Sequence, residues 1–209
     1  MTVTVFGGYG VFGALVARAL TAAGLPVRIA GRDGERAARF AAELGAGQTG
    51  IAADVRDSAS CARALAGARV AVCCAGPFSD LPTVLPEACL AAGVHYVDIA
   101  DDRGWFARLR ALDGRFRDRG LTAAVGCSSL PGISGALALL AAEHLPAVDR
   151  ARMAALPAAY VAQALWEKPD LGACGTVTAW EVLGARGLLD RLTAAGYEVL
   201  TARLPPHQW

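Results

Sequence analysis

Residues 3–13 read Val3-Thr4-Val5-Phe6-Gly7-Gly8-Tyr9-Gly10-Val11-Phe12-Gly13, and the architecture of the chain can be worked outward from them. A short β-rich run stops at a cluster of glycines, and a helical pattern starts at once. Gly8, Gly10 and Gly13 satisfy the spacing G-x-G-x-x-G, while Gly7, Gly10 and Gly13 satisfy G-x-x-G-x-x-G. Glycine at such positions permits a tight strand-to-helix turn, close approach of the backbone to a pyrophosphate, and close packing of helix on strand. The helix that follows then aims free N–H groups and its positive dipole end at the phosphates.

Val11, Phe12, Leu15, Val16, Ala19 and Leu20 recur at helical spacing, and Gly24 ends that helix. Further strands are expected at 27–30, 51–55, 70–75, 95–99 and 121–126. Helices are expected at 34–44, at 58–66 with Ser58 as its cap, and at 82–92. A further helix carries Trp105, Leu109, Leu112 and Phe116 on one stripe, and another runs from the loop 127–132 to about His144. The run 70–75 is almost wholly apolar, as in a parallel sheet covered on both faces. The pattern predicts an α/β fold: a doubly wound parallel (Rossmann) sheet of order 3-2-1-4-5-6, helices on both faces, spanning residues 1–146. Right-handed crossovers place the loops after the first and fourth strands side by side. Residues 147–209 are expected to form a short, mostly helical C-terminal appendage. Within it, helices begin near Leu156 and Trp180, and a strand is expected at 197–202.

A length of 209 residues suits one α/β domain with a modest addition, and a net charge of +1 gives no electrostatic case for nucleic acid or an anionic membrane. The uncharged run 121–142 is interrupted by Ser128, Ser129, Pro131 and Gly132, which reads as strand, loop and helix rather than a membrane span. Arg103, Arg108, Arg110, Arg115, Arg117 and Arg119 alternate with Asp101, Asp102, Asp113 and Asp118, the pattern of a solvated face. No signal peptide is expected, because the N-terminus enters a strand directly. The six cysteines form no C-x-x-C pair and have no histidines at zinc spacing, so no metal is expected. They read as small buried hydrophobes in a reducing, cytoplasmic setting.

The residue types at the strand ends bear on the cofactor. Asp33, twenty residues past Gly13, stands where a carboxylate holds the ribose hydroxyls of NAD. Arg32 precedes it and Arg36 follows one helical turn on, and a guanidinium there suits the 2′-phosphate of NADP. NADP is therefore the first expectation and NAD the second. The expected cofactor-binding residues are Gly7, Gly8, Tyr9, Gly10, Val11, Phe12 and Gly13; Gly31, Arg32 and Asp33; Asp54 and Val55; and Cys74, Ala75, Gly76 and Pro77. Asp54 either accepts from the adenine amino group or caps a turn.

Three further segments, Gly76-Pro77-Phe78, Ala91-Ala92-Gly93-Val94-His95-Tyr96-Val97-Asp98 and Leu130-Pro131-Gly132-Ile133, follow the opening motif in order. Together the four resemble the saccharopine dehydrogenase-like family. The resemblance implies an NADP-binding domain whose cofactor is held by the glycine loop, the Arg32 region and the Gly76-Pro77 loop. It also implies an oxidoreductase acting on a small substrate. In the family a second domain, inserted after the sixth strand, supplies much of the substrate pocket and commonly a dimer contact. Little of that domain fits between residue 148 and the segment from Leu156, which looks like the part of the chain that returns to the nucleotide domain. Residues 147–209 are accordingly expected to be a reduced substrate-domain remnant and C-terminal segment, or else a small replacement domain.

The nicotinamide is expected beyond strands four to six. Asp98 and Asp102 are the candidate catalytic residues there: the family often carries a Glu four residues after the Asp of its Tyr-x-Asp motif, and Asp102 stands at that place. A carboxylate there either orients a substrate amine or relays a proton. Alternatively, Asp98 ties down the strand end and Asp102 caps the next helix. A catalytically silent NADP(H)-binding module is the competing function. Trp180, Leu183, Leu188, Leu189 and Leu192 are expected to bury against the sheet domain or a twin, which makes a homodimer the expected assembly.

Overall fold

Val3, Val5 and Phe6 are sealed from solvent because β1 (Thr2–Phe6) runs through the middle of a parallel sheet. The computed structural model describes residues 1–136, 156–167 and 175–194. From β1 the chain passes through α1 (Val11–Ala22), β2 (Val27–Gly31) and α2 (Gly34–Leu44) to β3 (Thr49–Ala52). It then crosses to the other side of β1 through α3 (Ser58–Leu65), β4 (Ala68–Cys73) and α4 (Val84–Ala92). β5 (His95–Asp98), α5 (Arg103–Arg110), α6 (Asp113–Asp118) and β6 (Thr122–Ala124) follow. The later described elements are α7 (Leu156–Glu167), β7 (Gly175–Val177), α8 (Ala179–Leu183) and α9 (Ala185–Ala194). The strand order is β3-β2-β1-β4-β5-β6-β7, every pair parallel.

Alternation of side chains along each strand feeds two separate cores. On one face Val3, Val5, Ile29, Val70, Val72 and Val97 meet α1 through Val16, Ala17 and Leu20, and α2 through Ala37, Phe40 and Ala41. The same face receives Ala158, Val161, Ala162 and Leu165 of α7. On the other face Phe6, Ala71, Cys73, Tyr96 and Ala123 meet α3 to α6, including Cys61, Leu65, Leu85, Cys89, Trp105 and Phe116. The fold is the doubly wound sheet that the glycine spacing predicts.

Several local expectations are corrected. β7 is an additional strand: it pairs with β6 in register Thr122↔Gly175 to Ala124↔Val177, and the Thr176 N–H donates to Asp113 Oδ1 at 2.5 Å. The single helix expected under the Trp105–Phe116 stripe is two, α5 and α6, although Trp105, Leu109, Leu112 and Phe116 are all buried as the stripe requires. Strand three ends at Ala52 rather than at residue 55. Asp54 turns the chain instead: its backbone N–H donates to Ser60 Oγ and its carboxylate accepts from the Arg56 N–H. Asp57, not Ser58, caps α3, accepting from the N–H groups of Ala59 and Ser60. Val11, Phe12 and Leu15 are exposed, and the buried side of α1 begins at Gly13. Of the later apolar residues, Leu188, Leu189 and Leu192 are buried within the chain, in the core of the α1 face, the first of the two alternatives given for them. The expected boundary at 146/147 and the expected strand at 197–202 lie outside the described residues.

β5 and β6 are also joined through a side chain. His95 is buried, and its Nδ1 accepts the Thr122 N–H at 3.1 Å, which requires the unprotonated ring nitrogen. Burial, and then the Arg69 charge, hold its pKa below the ordinary value. The folded chain thus binds fewer protons here than the unfolded chain. The stability this group contributes is present in full above an unfolded pKa of about 6.5 and is lost as pH falls through the lower folded value. We expect the urea midpoint to drop between pH of about 7.5 and about 5, and to drop less in His95→Asn. An equal drop in both proteins would remove His95 as the cause.

Candidate active site and cofactor cavity

The glycine loop is shaped by backbone contacts that leave no room for side chains. Gly7 has φ +69°, and a Cβ there would lie 2.9 Å from the Ala75 nitrogen and 3.0 Å from the Cys74 carbonyl carbon. A Cβ on Gly13 would lie 2.8 Å from the Gly8 Cα and from the Gly7 carbonyl carbon. The first contact presses the loop onto the exit of β4, and the second presses α1 onto the loop. Gly10 is the N-cap of α1, no side chain caps this end, and the first turn holds no acidic residue. The leading N–H groups of the helix are therefore left for an anion.

Around this loop the exits of β1 to β4 enclose a cavity of about 410 Å³. Of the expected cofactor residues, Gly7, Tyr9, Gly10, Gly31, Arg32, Asp54, Val55, Cys74, Ala75, Gly76 and Pro77 line it. Gly8, Val11, Phe12, Gly13 and Asp33 do not line it. Gly8 and Gly13 serve packing: a Cβ on Gly8 would lie 2.7 Å from the Val5 carbonyl oxygen. Val11 and Phe12 project into solvent, so only their backbone faces the anion end. Ala53, Arg56 and Leu81 also line the cavity and were not anticipated. Arg56 was detectable as the cation two residues beyond Asp54, whereas Leu81 follows a single 3₁₀ turn at Phe78–Asp80 that carries no clear sequence signal.

The charges at the second strand end separate the two cofactor expectations. Asp33 is the N-cap of α2, and its Oδ1 accepts the Arg36 N–H at 2.9 Å. It is thus turned toward the helix and away from the cavity wall. Arg32 and Arg56 line the cavity, and Arg36 stacks on Tyr9 with its Cζ 4.8 Å from the ring centroid. Among the described residues none of these three arginines makes an ion pair with a carboxylate. The donor set, an uncapped helix start and three unneutralised guanidinium groups, fits a dinucleotide carrying an additional phosphate. Asp54, offered as an adenine acceptor or a turn cap, does cap a turn, through the Arg56 N–H, while also lining the cavity.

Asp98 and Asp102 stand outside the cavity lining, and their bonds favour supporting roles over the catalytic one. Asp98 is fully buried. Its Oδ2 accepts the Trp105 indole N–H at 2.6 Å, and its Oδ1 accepts the N–H groups of Gly126 at 2.8 Å and Ala100 at 3.1 Å. The Asp98 carbonyl also accepts the Cys127 N–H. Burial pushes its pKa up, and the Trp105, Gly126 and Ala100 donors pull it back down. Both oxygens of Asp98 are thus engaged within the protein. The carboxylate joins the ends of β5 and β6 to α5. Asp102 caps α5, accepting the Trp105 N–H at 2.6 Å. The thiols of Cys73, Cys74 and Cys127 are all pushed up by burial, Cys73 to about 12, which works against a thiolate at each.

Residues 3–124 match the family model described as the saccharopine dehydrogenase NADP binding domain. The carboxyaminopropylagmatine dehydrogenase of Synechocystis sp. is 36% identical over 84 residues, 37% of this chain and 21% of that protein. The inactive 2-(S)-hydroxypropyl-CoM dehydrogenase 2 of Xanthobacter autotrophicus is 46% identical over 66 residues, 32% of this chain and 27% of that protein. The chain spans less than a third of the length of these curated relatives. Among solved structures, the 3-hydroxyacyl-CoA dehydrogenase type-2 from Mycobacterium avium superposes with a TM-score of 0.60 at 20% identity, over 85% of this chain and 92% of that one. Apo saccharopine dehydrogenase (L-Glu forming) from Saccharomyces cerevisiae gives 0.55 at 18% identity, over 68% and 30%. At these identities the likeness to both structures is one of fold.

The packing at Gly13 gives a direct test. Gly13→Val is expected to force α1 off the loop, lowering stability by about 1–3 kcal/mol as overpacking does and abolishing dinucleotide binding. Thermal melting and calorimetric titration check both effects, and a variant that binds as the parent does would refute the role given to this contact.

Proposed function

The chain belongs to the family of saccharopine dehydrogenase NADP-binding domains, and from that premise we propose an NADP-dependent oxidoreductase acting on a small substrate. When bound, the cofactor supplies a nicotinamide that gives or takes hydride. The residues of this chain do the rest. The open start of α1 receives the pyrophosphate through its leading backbone N–H groups, and Gly7 and Gly10 line the approach to it. Arg32 takes the 2′-phosphate, and Val55 and Leu81 offer apolar walls to the adenine. Asp98 holds the ends of β5 and β6 in place beside the nicotinamide.

One observation carries this reading: Arg32 lines the cavity without an ion pair among the described residues, while Asp33, the residue best placed to select NAD, is the cap of α2 through Oδ1 and does not line it. A reducing, cytoplasmic location accords with the free thiols of Cys61, Cys73, Cys74, Cys89 and Cys127.

The second reading, a module that binds NADP(H) without turning it over, is favoured by a different observation. Of the two candidate carboxylates, Asp98 is buried with both oxygens bonded to Trp105, Gly126 and Ala100, and Asp102 caps α5 through one oxygen. Fluorescence titration with NADPH and NADH separates cofactor from function. We expect NADPH to bind more tightly, and Arg32→Ala to weaken it about tenfold or more, since a charge-assisted bond to phosphate is worth roughly 1.5–3 kcal/mol. Tighter binding of NADH, or an Arg32→Ala variant with parental NADPH affinity, would defeat the NADP assignment. Tight NADPH binding with no oxidation across a panel of imino and keto acids would select the silent module.

A further inference from the structure

Tyr9 occupies an interior position of the glycine motif, where its side chain has no part in the turn chemistry. Its ring lies across the end of β2, where a Cβ on Gly31 would sit 2.7 Å from the ring Cζ and 2.8 Å from the hydroxyl oxygen. Any larger residue at position 31 would displace it. The Asp33 N–H donates to the Tyr9 hydroxyl at 3.0 Å, which fixes the outer end of the ring to the loop before α2. The Arg36 guanidinium stands over the ring at 4.8 Å. Tyr9 itself lines the cavity together with Gly31 and Arg32.

An exposed arginine on a helix usually samples many rotamers, and ordering it on a ligand costs binding free energy. Here the stack restrains it. No carboxylate captures the Arg36 guanidinium among the described residues: Glu35 faces Arg39 at 3.6 Å, and Asp33 Oδ1 accepts the backbone N–H of Arg36. The guanidinium is thus held by a ring and left without an ion pair among the described residues. A planar cation on an aromatic face keeps its in-plane N–H donors available for a phosphate.

We propose that Tyr9 is a specificity-determining residue: it holds Arg36 at the rim of the cavity as a pre-ordered second cation for the 2′-phosphate, beside Arg32. This inference rests on the NADP reading. It assigns the discrimination to a glycine-loop side chain that acts through Arg36, so Tyr9 is a positioning residue and Arg36 the binding one. Lysine in place of Arg36 would keep the charge and lose the planar stack.

The test compares 2′,5′-ADP with 5′-AMP, two fragments that differ only in the 2′-phosphate, by calorimetry on the full chain. The quantity read is the ratio of their affinities. The parent should favour 2′,5′-ADP. Tyr9→Leu, Arg36→Ala and Arg36→Lys should each lower the ratio about tenfold, the double variant Tyr9→Leu/Arg36→Ala should fall no further than Arg36→Ala alone, and Tyr9→Phe should stay within about threefold of the parent. Equal weakening of both fragments in Tyr9→Leu would overturn the proposal and leave the NADP reading standing. Should Tyr9→Leu fail to fold, Arg36→Lys decides: a parental ratio there overturns the stacked clamp. A parent protein that does not distinguish the fragments overturns the NADP reading, and this inference with it.

Discussion

Backbone pressed directly against backbone is the constraint from which the rest of this structure follows. Helix α1 leans on its own preceding loop at Gly13, that loop leans on the exit of β4 at Gly7, and β3 leans on α2 at Gly50, where a Cβ would lie 2.5 Å from the Ala38 Cα. None of these contacts can absorb a methyl group without moving the main chain. Their joint effect is to draw the ends of β1 to β4 close enough to enclose one cavity. The site is thus made of main chain first, with side chains added at its rim.

The rim and the opposite end of the sheet are built on different principles. At the rim, Arg32, Arg36 and Arg56 are exposed cations beside an uncapped helix start, and their charge awaits a partner. Past β5, the two carboxylates at the strand end are already bonded within the protein. Asp98 serves three N–H donors from three segments, and Asp102 holds the start of α5. A buried carboxylate is tolerated only when such donors replace the lost water. The capacity to bind an anion therefore sits at one end of the sheet, and rigidity at the other.

Much of this was legible in the chain because glycine and alternation leave strong marks. The strand-to-helix switch at Phe6–Gly13 has no cheaper explanation than the fold observed, and α2 begins and ends where its apolar spacing and Gly34 suggest. What was not legible shares one cause: it was decided by contacts distant in sequence. β7 is three residues long, too short to show a period, and is held by β6 and by Asp113. The stripe from Trp105 to Phe116 correctly marked a buried face and could not reveal that the helix breaks within it. Asp102 was readable as the cap of α5, whereas the Gly126 N–H on Asp98 comes from 28 residues away and leaves no mark near the strand end.

Helix α7 also has a meaning for the order in which the molecule is made. It covers Val70, Val72 and Val97 on the α1 face of the sheet, and Arg69 donates to the Trp166 carbonyl at 2.7 Å while stacking on the indole, a contact across 97 residues of chain. A nascent chain that has emerged only through β6 has every strand around the cavity in hand and α1 over β1, yet Val70, Val72 and Val97 still await the apolar side of α7. Until α7 leaves the ribosome, that patch is a sticky surface open to chaperones and to neighbouring chains. A segment made about 150 residues later thus completes the face behind the strand that carries the glycine loop.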